Sequence, residues 1–190
     1  MNHQAELIYE RILVVRAQLG EAEAFAELVE RYSPRLRYFL RKLLGAHGRD
    51  GRSRSGEEAE DALQDVWLDV FRHLPRLADP QALRAWLYRI ARDRAYGRLR
   101  KARLNEQMLD EGTLVDPTTE EENEFSAEDA DRIHAELDKL PTAQREVLVL
   151  RFLEAMSYEE IAAITGCQVG TVRSRIHYAK RALKAMLAKT

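Results

Sequence analysis

Residues 157 to 181 read SYEEIAAITGCQVGTVRSRIHYAKR, and this stretch decides the fold of the C-terminal part of the chain. Ser157 followed three residues later by Glu160 is a capping box, which starts a helix by satisfying two orphan backbone donors. Gly166 tolerates the positive φ at which that helix must end, and Gly170 marks the start of a second helix after a short turn. The spacing therefore predicts a helix-turn-helix.

The second helix of this motif combines an apolar stripe with a basic outer face. The stripe that we expect to be buried consists of Val172, Ile176, Ala179 and Leu183. The face that we expect to meet solvent carries Arg173, Ser174, His177, Lys180 and Arg181. Arginine can bond guanine bidentately, and serine or histidine can reach base edges or phosphates, so this face suits the major groove of duplex DNA.

Charge is strongly segregated along the chain, although the formal net charge is only −2. Residues 84–103 contain eight Lys or Arg and one acid, and residues 171–189 contain six basic residues and no acid. Residues 105–131 contain eleven acids and no Lys or Arg. Two cationic segments indicate two contacts with polyphosphate, because each neutralised phosphate releases condensed counterions.

The acidic segment is also the predicted domain boundary. Residues 104–126 have no apolar period that could fold onto a core, and at about 3.3 Å per residue they could span on the order of 75 Å. We expect an all-α chain with two small helical domains, residues 1–103 and 127–190, held apart by a flexible linker at 104–126. We further expect the linker acids Glu120, Glu121, Glu122 and Glu124 to shield the cationic surfaces.

The first domain is predicted to contain helices at residues 4–18, 21–44 and 57–74. Pro34 indicates a kink or a restart in the second of these, and residues 45–56 read as a connecting loop. The third helix is the clearest amphipath of the chain. Its apolar band, which we expect to be core, consists of Ala59, Ala62, Leu63, Val66, Trp67, Val70, Phe71 and Leu74.

The opposite side of the third helix carries a polar stripe interrupted by one leucine. Its members recur at helical spacing and are Asp61, Gln64, Asp65, Leu68 and Arg72. An exposed leucine within a polar stripe favours a docking face for a partner protein, although isolated exposed leucines are common on soluble proteins.

The next helix is predicted to begin with Asp79 as its cap and Pro80 in its first turn. Basic and aromatic residues alternate along one side of it, namely Arg84, Tyr88, Arg92, Tyr96 and Arg100, with Trp86, Arg89 and Lys101 beside them. Rings that stack on bases and guanidinium groups that hold phosphates suit single-stranded or unstacking DNA. Trp86 or Tyr88 could instead pack inward.

Patterns that indicate catalysis are absent from the sequence. It has no phosphate-cradling glycine loop, no HExxH, no nucleophile elbow and no clustered metal ligands, so we expect no enzyme activity, metal or cofactor. Cys167 is the single cysteine and reads as a small packing residue. Without a transmembrane-length apolar run or a signal peptide, we expect a cytoplasmic protein that does not insert into a membrane.

Four segments, in order, resemble the sigma-70 superfamily of bacterial RNA polymerase sigma factors, in its compact extracytoplasmic-function (ECF) group. AFAELVERYSPRLRYFLRKLLG resembles the opening helices of the first conserved domain, sigma region 2. AEDALQDVWLDVFRHL resembles its polymerase-docking helix, and LRAWLYRIARDRAYGRLRK its promoter-melting segment. LDKLPTAQREVLVLRFLEAMSYEEIAAITGCQVGTVRSRIHYAKRAL resembles the second domain, sigma region 4, with its recognition helix.

The resemblance implies that Asp61, Gln64 and Asp65 bind core RNA polymerase at the clamp helices of its largest subunit. It implies that the first domain opens the minus-10 promoter element through Trp86, Tyr88, Arg89, Arg92 and Arg98. It implies that the second domain reads the minus-35 element through Thr171, Arg173, Ser174, Arg175 and His177. An anti-sigma factor is a further implied partner. The linker either threads through the polymerase or is an inert spacer.

Two other function classes stay open on the sequence. A conventional helix-turn-helix regulator would bind a palindromic operator as a dimer and use its N-terminal helices for oligomerisation or ligand sensing. An adaptor that binds only proteins would not need Arg173 or Arg175. Dependence on polymerase separates the sigma factor from both.

Overall fold

The computed structural model describes residues 3–45, 54–104 and 130–188 of the 190-residue chain. Within these ranges every regular element is helical, which confirms the all-α prediction. The α-helices of the described part are α1 (His3–Gln18), α2 (Ala22–Leu44), α3 (Arg54–His73), α4 (Leu83–Leu104), α5 (Ala130–Leu137), α6 (Thr142–Leu148), α7 (Tyr158–Thr165) and α8 (Val169–Leu187). Helix α3 begins at Arg54, so residues 54–56 of the predicted 45–56 loop are helical, because the helix extends one turn before the predicted start at residue 57. Residues 46–53 of that loop and residues 105–126 of the predicted linker, including its four glutamates, lie outside the described residues.

Helices α1 to α4 form the first helical group. Gly20, at φ 91°, lies in the short turn between α1 and α2 and adopts a positive φ that glycine reaches without a steric penalty. The side-chain amide of Gln18 donates to the carbonyl oxygens of Leu74 and Leu77, which fixes the end of α1 to the turn after α3. The α2 helix continues through Pro34, so the restart considered at that proline is not observed.

Helix α4 is positioned by a cap that the sequence predicts. Asp79 Oδ1 accepts a hydrogen bond from the backbone nitrogen of Gln81 at 2.9 Å, and the short helical turn Pro80–Ala82 then leads into α4. Leu87 and Ala91 are fully buried against the group's core. The cap and the buried side together set which arginines of α4 face outward.

Helices α5 to α8 form the second helical group, and its helix-turn-helix is confirmed. The Ser157 hydroxyl accepts a hydrogen bond from the Glu160 backbone nitrogen at 3.1 Å. The Glu160 carboxylate accepts one from the Ser157 nitrogen at 2.8 Å, which completes the capping box. Gly166 ends α7 at φ 69°, and α8 begins at Val169, so Gly170 lies in its first turn.

The two helical groups pack directly against each other, α4 on α7 and α2 on α6. Their buried side chains belong to one hydrophobic cluster. The two groups correspond to the two small helical domains that the sequence predicts, but in this structure they are in contact rather than held apart. The physical reason is complementarity of charge and apolar surface between the groups, as where Arg92 of α4 meets the buried Glu146 of α6. The exact domain boundaries stay a prediction.

Gly97 lies inside α4, where glycine loses more backbone entropy on folding than any other residue. A Cβ atom added at this position meets no atom within 4 Å. Gly97→Ala should therefore raise the free energy of unfolding by about 0.5–1 kcal/mol, measured by denaturant unfolding followed by circular dichroism. The control is Gly20→Ala, which should destabilise because of its positive φ. A Gly97→Ala protein less stable than the parent would contradict this account of α4.

Candidate nucleic-acid and partner interfaces

The polar stripe of α3 lies on the surface, as the sequence predicts. Asp61 and Gln64 are exposed, and the Leu68 side chain is 53% exposed. Asp65 differs from these because its carboxylate accepts a hydrogen bond from Arg98 Nη2 of α4 at 2.6 Å. The stripe is therefore free of the core, and one of its acids is already engaged within the first helical group.

Phe71 corrects the predicted apolar band of α3. We expected it in the core, but it is 67% exposed, with its ring in edge contact with Phe25 at a ring-centroid distance of 5.5 Å. The rest of the band does pack inward on both sides of Phe71, with Trp67 half-buried and the other members, Ala59, Ala62, Leu63, Val66, Val70 and Leu74, buried. Phe71 lies three residues after Leu68, so the two side chains share an exposed apolar patch at the C-terminal end of α3.

The arginines of α4 differ in how they are engaged. Arg89 and Arg100 are exposed, and the described residues provide no ion-pair partner for either. Arg94 pairs with Asp69 of α3. The first helical group thus keeps two of its predicted DNA-binding cations, Arg89 and Arg100, open to solvent and holds a third, Arg98, against Asp65 of α3.

Two further cations of α4 cross to the second helical group. Arg92 Nε donates to Glu146 Oε1 at 2.8 Å, and Arg84 Nη2 lies 3.4 Å from Glu160 Oε1. Both arginine side chains are only partly exposed as a result. Neither pair was foreseen, because the two partners in each pair are more than fifty positions apart in the chain.

The aromatic residues of α4 do not form one exposed row. Tyr88 is fully buried, with its ring edge-on to Phe39 at 5.2 Å, so the expectation that it lies on the basic outer face is wrong. Burial raises the pKa of Tyr88, and the nearby Glu154 carboxylate adds to the rise. Trp86 is half-buried. Tyr88 was predicted on the outer face because it recurs with the basic residues of α4 at every fourth position. In the structure, the second helical group covers that side of α4.

Tyr96 and Arg92 hold one buried carboxylate together. The Tyr96 hydroxyl donates to Glu146 Oε2 at 3.0 Å, and the Arg92 guanidinium lies 4.4 Å from the centre of the Tyr96 ring. Glu146 is completely buried, and this burial raises its pKa, while the charge of Arg92 opposes the rise. Burial also raises the pKa of Tyr96. Glu146 carried no functional prediction, because only the tertiary contact gives it a role.

The recognition helix α8 buries the predicted stripe, since Val172, Ile176, Ala179 and Leu183 are all inaccessible. The predicted minus-35 residues other than Ser174 differ in how exposed their side chains are. Exposed are Arg173 and Arg181. Partly exposed are Thr171, Arg175, His177 and Lys180. The exposed arginines can reach a duplex without any movement of α8.

Ser174 corrects the predicted outer face of α8. Its side chain is buried at 7% exposure, and its hydroxyl donates to the carbonyl oxygen of Gly170 at 2.8 Å. Serine in a helix can bond the carbonyl four residues earlier in this way. Helices α5, α6 and α7 all pack on α8, so more of its circumference is covered than one apolar stripe.

Arg173 and Arg175 differ although they lie two residues apart. The Arg173 guanidinium is 5.7 Å from the centre of the Tyr158 ring and is otherwise exposed. Arg175 Nη1 lies 3.9 Å from Cys167 Sγ, and its charge also acts on the buried Glu146. A substitution of Arg173 is therefore a cleaner test of DNA contact than a substitution of Arg175.

The described residues contain no candidate metal site and no candidate membrane-spanning helix. No cluster of three or more histidine, cysteine, aspartate or glutamate side chains there could hold a metal ion. None of the described helices is both long and apolar enough to cross a membrane.

Two family models match the chain. The model described as Sigma-70 region 2 matches residues 28–104, and the model described as Sigma-70, region 4 matches residues 130–183. The first match contains α3, α4 and most of α2, and the second contains α5 to α7 and most of α8.

Similar proteins agree with both matches. The ECF RNA polymerase sigma-E factor of Haemophilus influenzae is 31% identical over 191 residues, which cover 95% of this chain and 96% of the relative. The corresponding Escherichia coli K12 protein is 30% identical and is covered to 94%, as is this chain. A solved Bartonella quintana sigma factor, RpoE with the anti-sigma factor NepR, is 25% identical with a TM-score of 0.64, covering 88% of this chain and 98% of that chain.

Proposed function

The chain belongs to the ECF sigma factors of the sigma-70 family, and from that membership we propose which of its surfaces carry each step of transcription initiation. It binds core RNA polymerase and directs promoter-specific initiation. The comparisons lend no support to a conventional dimeric regulator, because the matches span both helical groups and name sigma factors.

The polymerase-docking surface that we propose is the outer face of α3. Asp61, Gln64 and Leu68 are exposed and off the apolar core, as a protein interface requires. Phe71 extends this face with an exposed aromatic side chain, and aromatic side chains contribute strongly to interface energetics because of the apolar area that they bury. Asp65 contributes in addition once Arg98 leaves it. We expect the clamp helices of the largest polymerase subunit to be the partner.

The minus-10 surface that we propose lies along α4. Arg89 and Arg100 are its accessible cations, and Trp86 is a ring that can stack on a base. Further members are held by carboxylates in this structure and must be released before they can bind DNA, namely Arg84, Arg92, Tyr96 and Arg98. Tyr88 stays in the core unless the second helical group moves.

The minus-35 surface that we propose is the exposed side of α8. In a helix-turn-helix, the N-terminal residues of the second helix contact base edges in the major groove. Arg173 lies in that part of α8 and is exposed. Flanking contacts come from Thr171, Arg175, His177, Lys180 and Arg181. Ser174 would act through the backbone of α8 rather than on a base, because its hydroxyl is already bonded.

Regulation and location follow from the family. One similar structure is a sigma factor held by an anti-sigma factor, and we expect a protein of that kind to control this chain. We place the chain in the cytoplasm, where core polymerase acts. Sigma factors are not a class of enzymes, and we propose that binding energy alone, without bond chemistry, opens the promoter.

Reconstitution with core RNA polymerase tests this function. The purified protein should form a 1:1 complex with core polymerase and should direct run-off transcripts from a subset of genomic fragments that core polymerase alone does not transcribe. A protein that ignored polymerase but occupied a palindrome as a dimer would be a conventional regulator instead.

A further inference from the structure

The outer face of α1 is apolar and exposed. Its large apolar side chains are between 41% and 78% exposed, and they are Leu7, Ile8, Tyr9, Ile12, Val15 and Leu19. Leu19 follows the last residue of α1 but continues its turn, because the Leu19 nitrogen donates to the Val15 carbonyl oxygen at 3.0 Å. Single exposed leucines are ordinary on a soluble protein, whereas a contiguous exposed apolar patch marks an interaction site.

Helix α1 has a second apolar side, which packs on the first helical group. Leu13 and Val14 are fully buried there, and Ala17 packs against the same core. With 3.6 residues per turn, this buried side lies opposite the outer face. A surface helix normally has one apolar side, and a helix that is apolar all round is normally covered all round. The residues that the structure describes leave the outer face of α1 without the cover that its composition indicates.

The spacing of the outer face matches a helical partner. Four of its residues are separated by four, three and four positions, which is the a and d spacing of a heptad repeat. They are Ile8, Ile12, Val15 and Leu19. Ala5 extends the pattern by three positions and is exposed. These five residues form a seam about 21 Å long, into which the apolar side chains of another helix can insert.

The charge left beside this seam is positive. Arg11 borders the seam on one side, is exposed, and has no ion-pair partner among the described residues. At the other border two carboxylates are already engaged, Glu21 by Arg16 at 2.7 Å and Glu27 by the Tyr9 hydroxyl at 3.0 Å. Residues that flank a seam set the choice of partner, so a partner with carboxylates beside its apolar residues can pair with Arg11.

A second copy of the chain fits the seam less well. In a parallel pair, Arg11 of one copy would face Arg16 of the other, because these residues occupy the g and e positions that meet across a parallel seam. In an antiparallel pair centred on Ile12, the two Arg11 side chains would face each other. Repulsion between like charges disfavours both arrangements.

We propose that the outer face of α1 is a docking site for an acidic amphipathic helix of another protein, which inserts apolar residues into the seam and places carboxylates beside Arg11. This partner is additional to core polymerase and promoter DNA, whose proposed surfaces lie on α3, α4 and α8. Helix α1 contributes no residue to those surfaces, so the docking site goes beyond the proposed function and does not depend on it.

A designed peptide tests the seam directly. The probe is a fluorescein-labelled synthetic peptide of three heptads with isoleucine at a, leucine at d and glutamate at e and g, whose own glutamates disfavour pairing with itself. The full-length protein should bind it at low salt, measured by fluorescence anisotropy. Ile8→Gln with Ile12→Gln should weaken this binding by about tenfold or more, because two seam residues lose their apolar contacts.

The matched control for the seam is Leu153→Gln, which replaces an exposed apolar side chain of the second helical group. That variant should bind the acidic peptide as the parent does. Circular dichroism should show that the double variant keeps the helix content of the parent, because both of its changed side chains are exposed. A parent that does not bind the peptide, or a folded double variant that binds it as tightly as the parent, would overturn the proposal.

Charge reversal tests the chemistry of the partner. Arg11→Glu should weaken binding of the acidic peptide about tenfold and should strengthen binding of a second peptide that carries lysine at e and g. Arg41→Glu, which changes an exposed arginine of α2 by the same charge, is the control and should do neither. Equal affinity of the parent for the two peptides would overturn the assignment of an acidic partner.

The seam variant also distinguishes other occupants of the outer face. Parent and double variant should both sediment as monomers, should both ignore phosphatidylglycerol vesicles, and should direct the same run-off transcripts with core polymerase. Dimerisation or vesicle binding that the double variant loses would assign the face to a second copy or to a membrane surface. Loss of transcription in the folded double variant would assign it to polymerase. Each of these three results would overturn the proposal.

Discussion

Replacing Asp61, Gln64 and Leu68 together by alanine should weaken binding of core RNA polymerase by on the order of 100-fold. All three side chains are exposed on one face of α3, and the described residues give Asp61 and Gln64 no ion pair or side-chain hydrogen bond within the chain. Truncation therefore removes partner contacts and leaves the buried band of α3 intact. The measurement is a titration of labelled protein with core polymerase.

The thermal midpoint of the triple variant decides how a loss of binding is interpreted. We expect it to stay within a few degrees of the parent, because exposed positions away from caps and buried pairs contribute little to stability. A large fall would show that these side chains are structural. Asp65 is kept in this variant, because removing it would release Arg98 toward DNA and change two surfaces at once.

The control for docking is Glu23→Ala with Glu30→Ala, which removes exposed acids from α2 instead of α3. Polymerase affinity should be unchanged in that protein. Phe71→Ala extends the test to the exposed aromatic ring. We expect this change to cost more binding free energy with polymerase than free energy of unfolding. Full polymerase affinity in the triple variant would move the docking site away from α3.

Arg173→Ala should weaken binding of the minus-35 duplex by the polymerase complex by roughly 10- to 100-fold, the range expected for loss of one bidentate base contact. Arg173 is exposed in the N-terminal half of α8, and its charge is not used in a buried pair. Competition between the matched promoter and a promoter with a scrambled minus-35 element measures the loss. The preference for the matched promoter should fall toward unity.

Lys184→Ala is the matched control on the same helix. Lys184 is exposed in the last turn of α8, beyond the residues that a helix-turn-helix directs at base edges. It should lower affinity for both promoters to a similar, small extent, as loss of a nonspecific phosphate contact does. If Arg173→Ala behaved in the same uniform way, Arg173 would be a phosphate contact and base reading would have to lie elsewhere on α8.

Local signals account for the parts of the fold that were correctly predicted. Ser157 and Glu160 lie three positions apart, and Gly166 follows at the other end of the same eight-residue helix, so the capping box and the left-handed end of α7 can be recognised from nearby residues. The same holds for the Asp79 cap before α4. The buried stripe of α8 follows from its period, which requires only that some partner covers the apolar side.

Contacts between distant segments explain the errors. Helical period assigns residues to a face, but it does not say how far a neighbouring helix extends or how many neighbours a helix has. Phe71 is 67% exposed although Val70 and Leu74 beside it in the helical period are buried, and Ser174 is buried because α5, α6 and α7 all pack on α8. Tyr88 is buried because α4 packs on both its own group and the second.

The amino-acid pattern alone establishes the helices, their caps and the family, since each depends on residues that are neighbours in the chain or recur at helical spacing. The opposition of Arg84 and Arg92 to Glu160 and Glu146 comes from folding in three dimensions. Attraction between charges depends on their separation in space. The two partners of each pair are more than fifty positions apart in the chain, and only the packing of the helices brings them together.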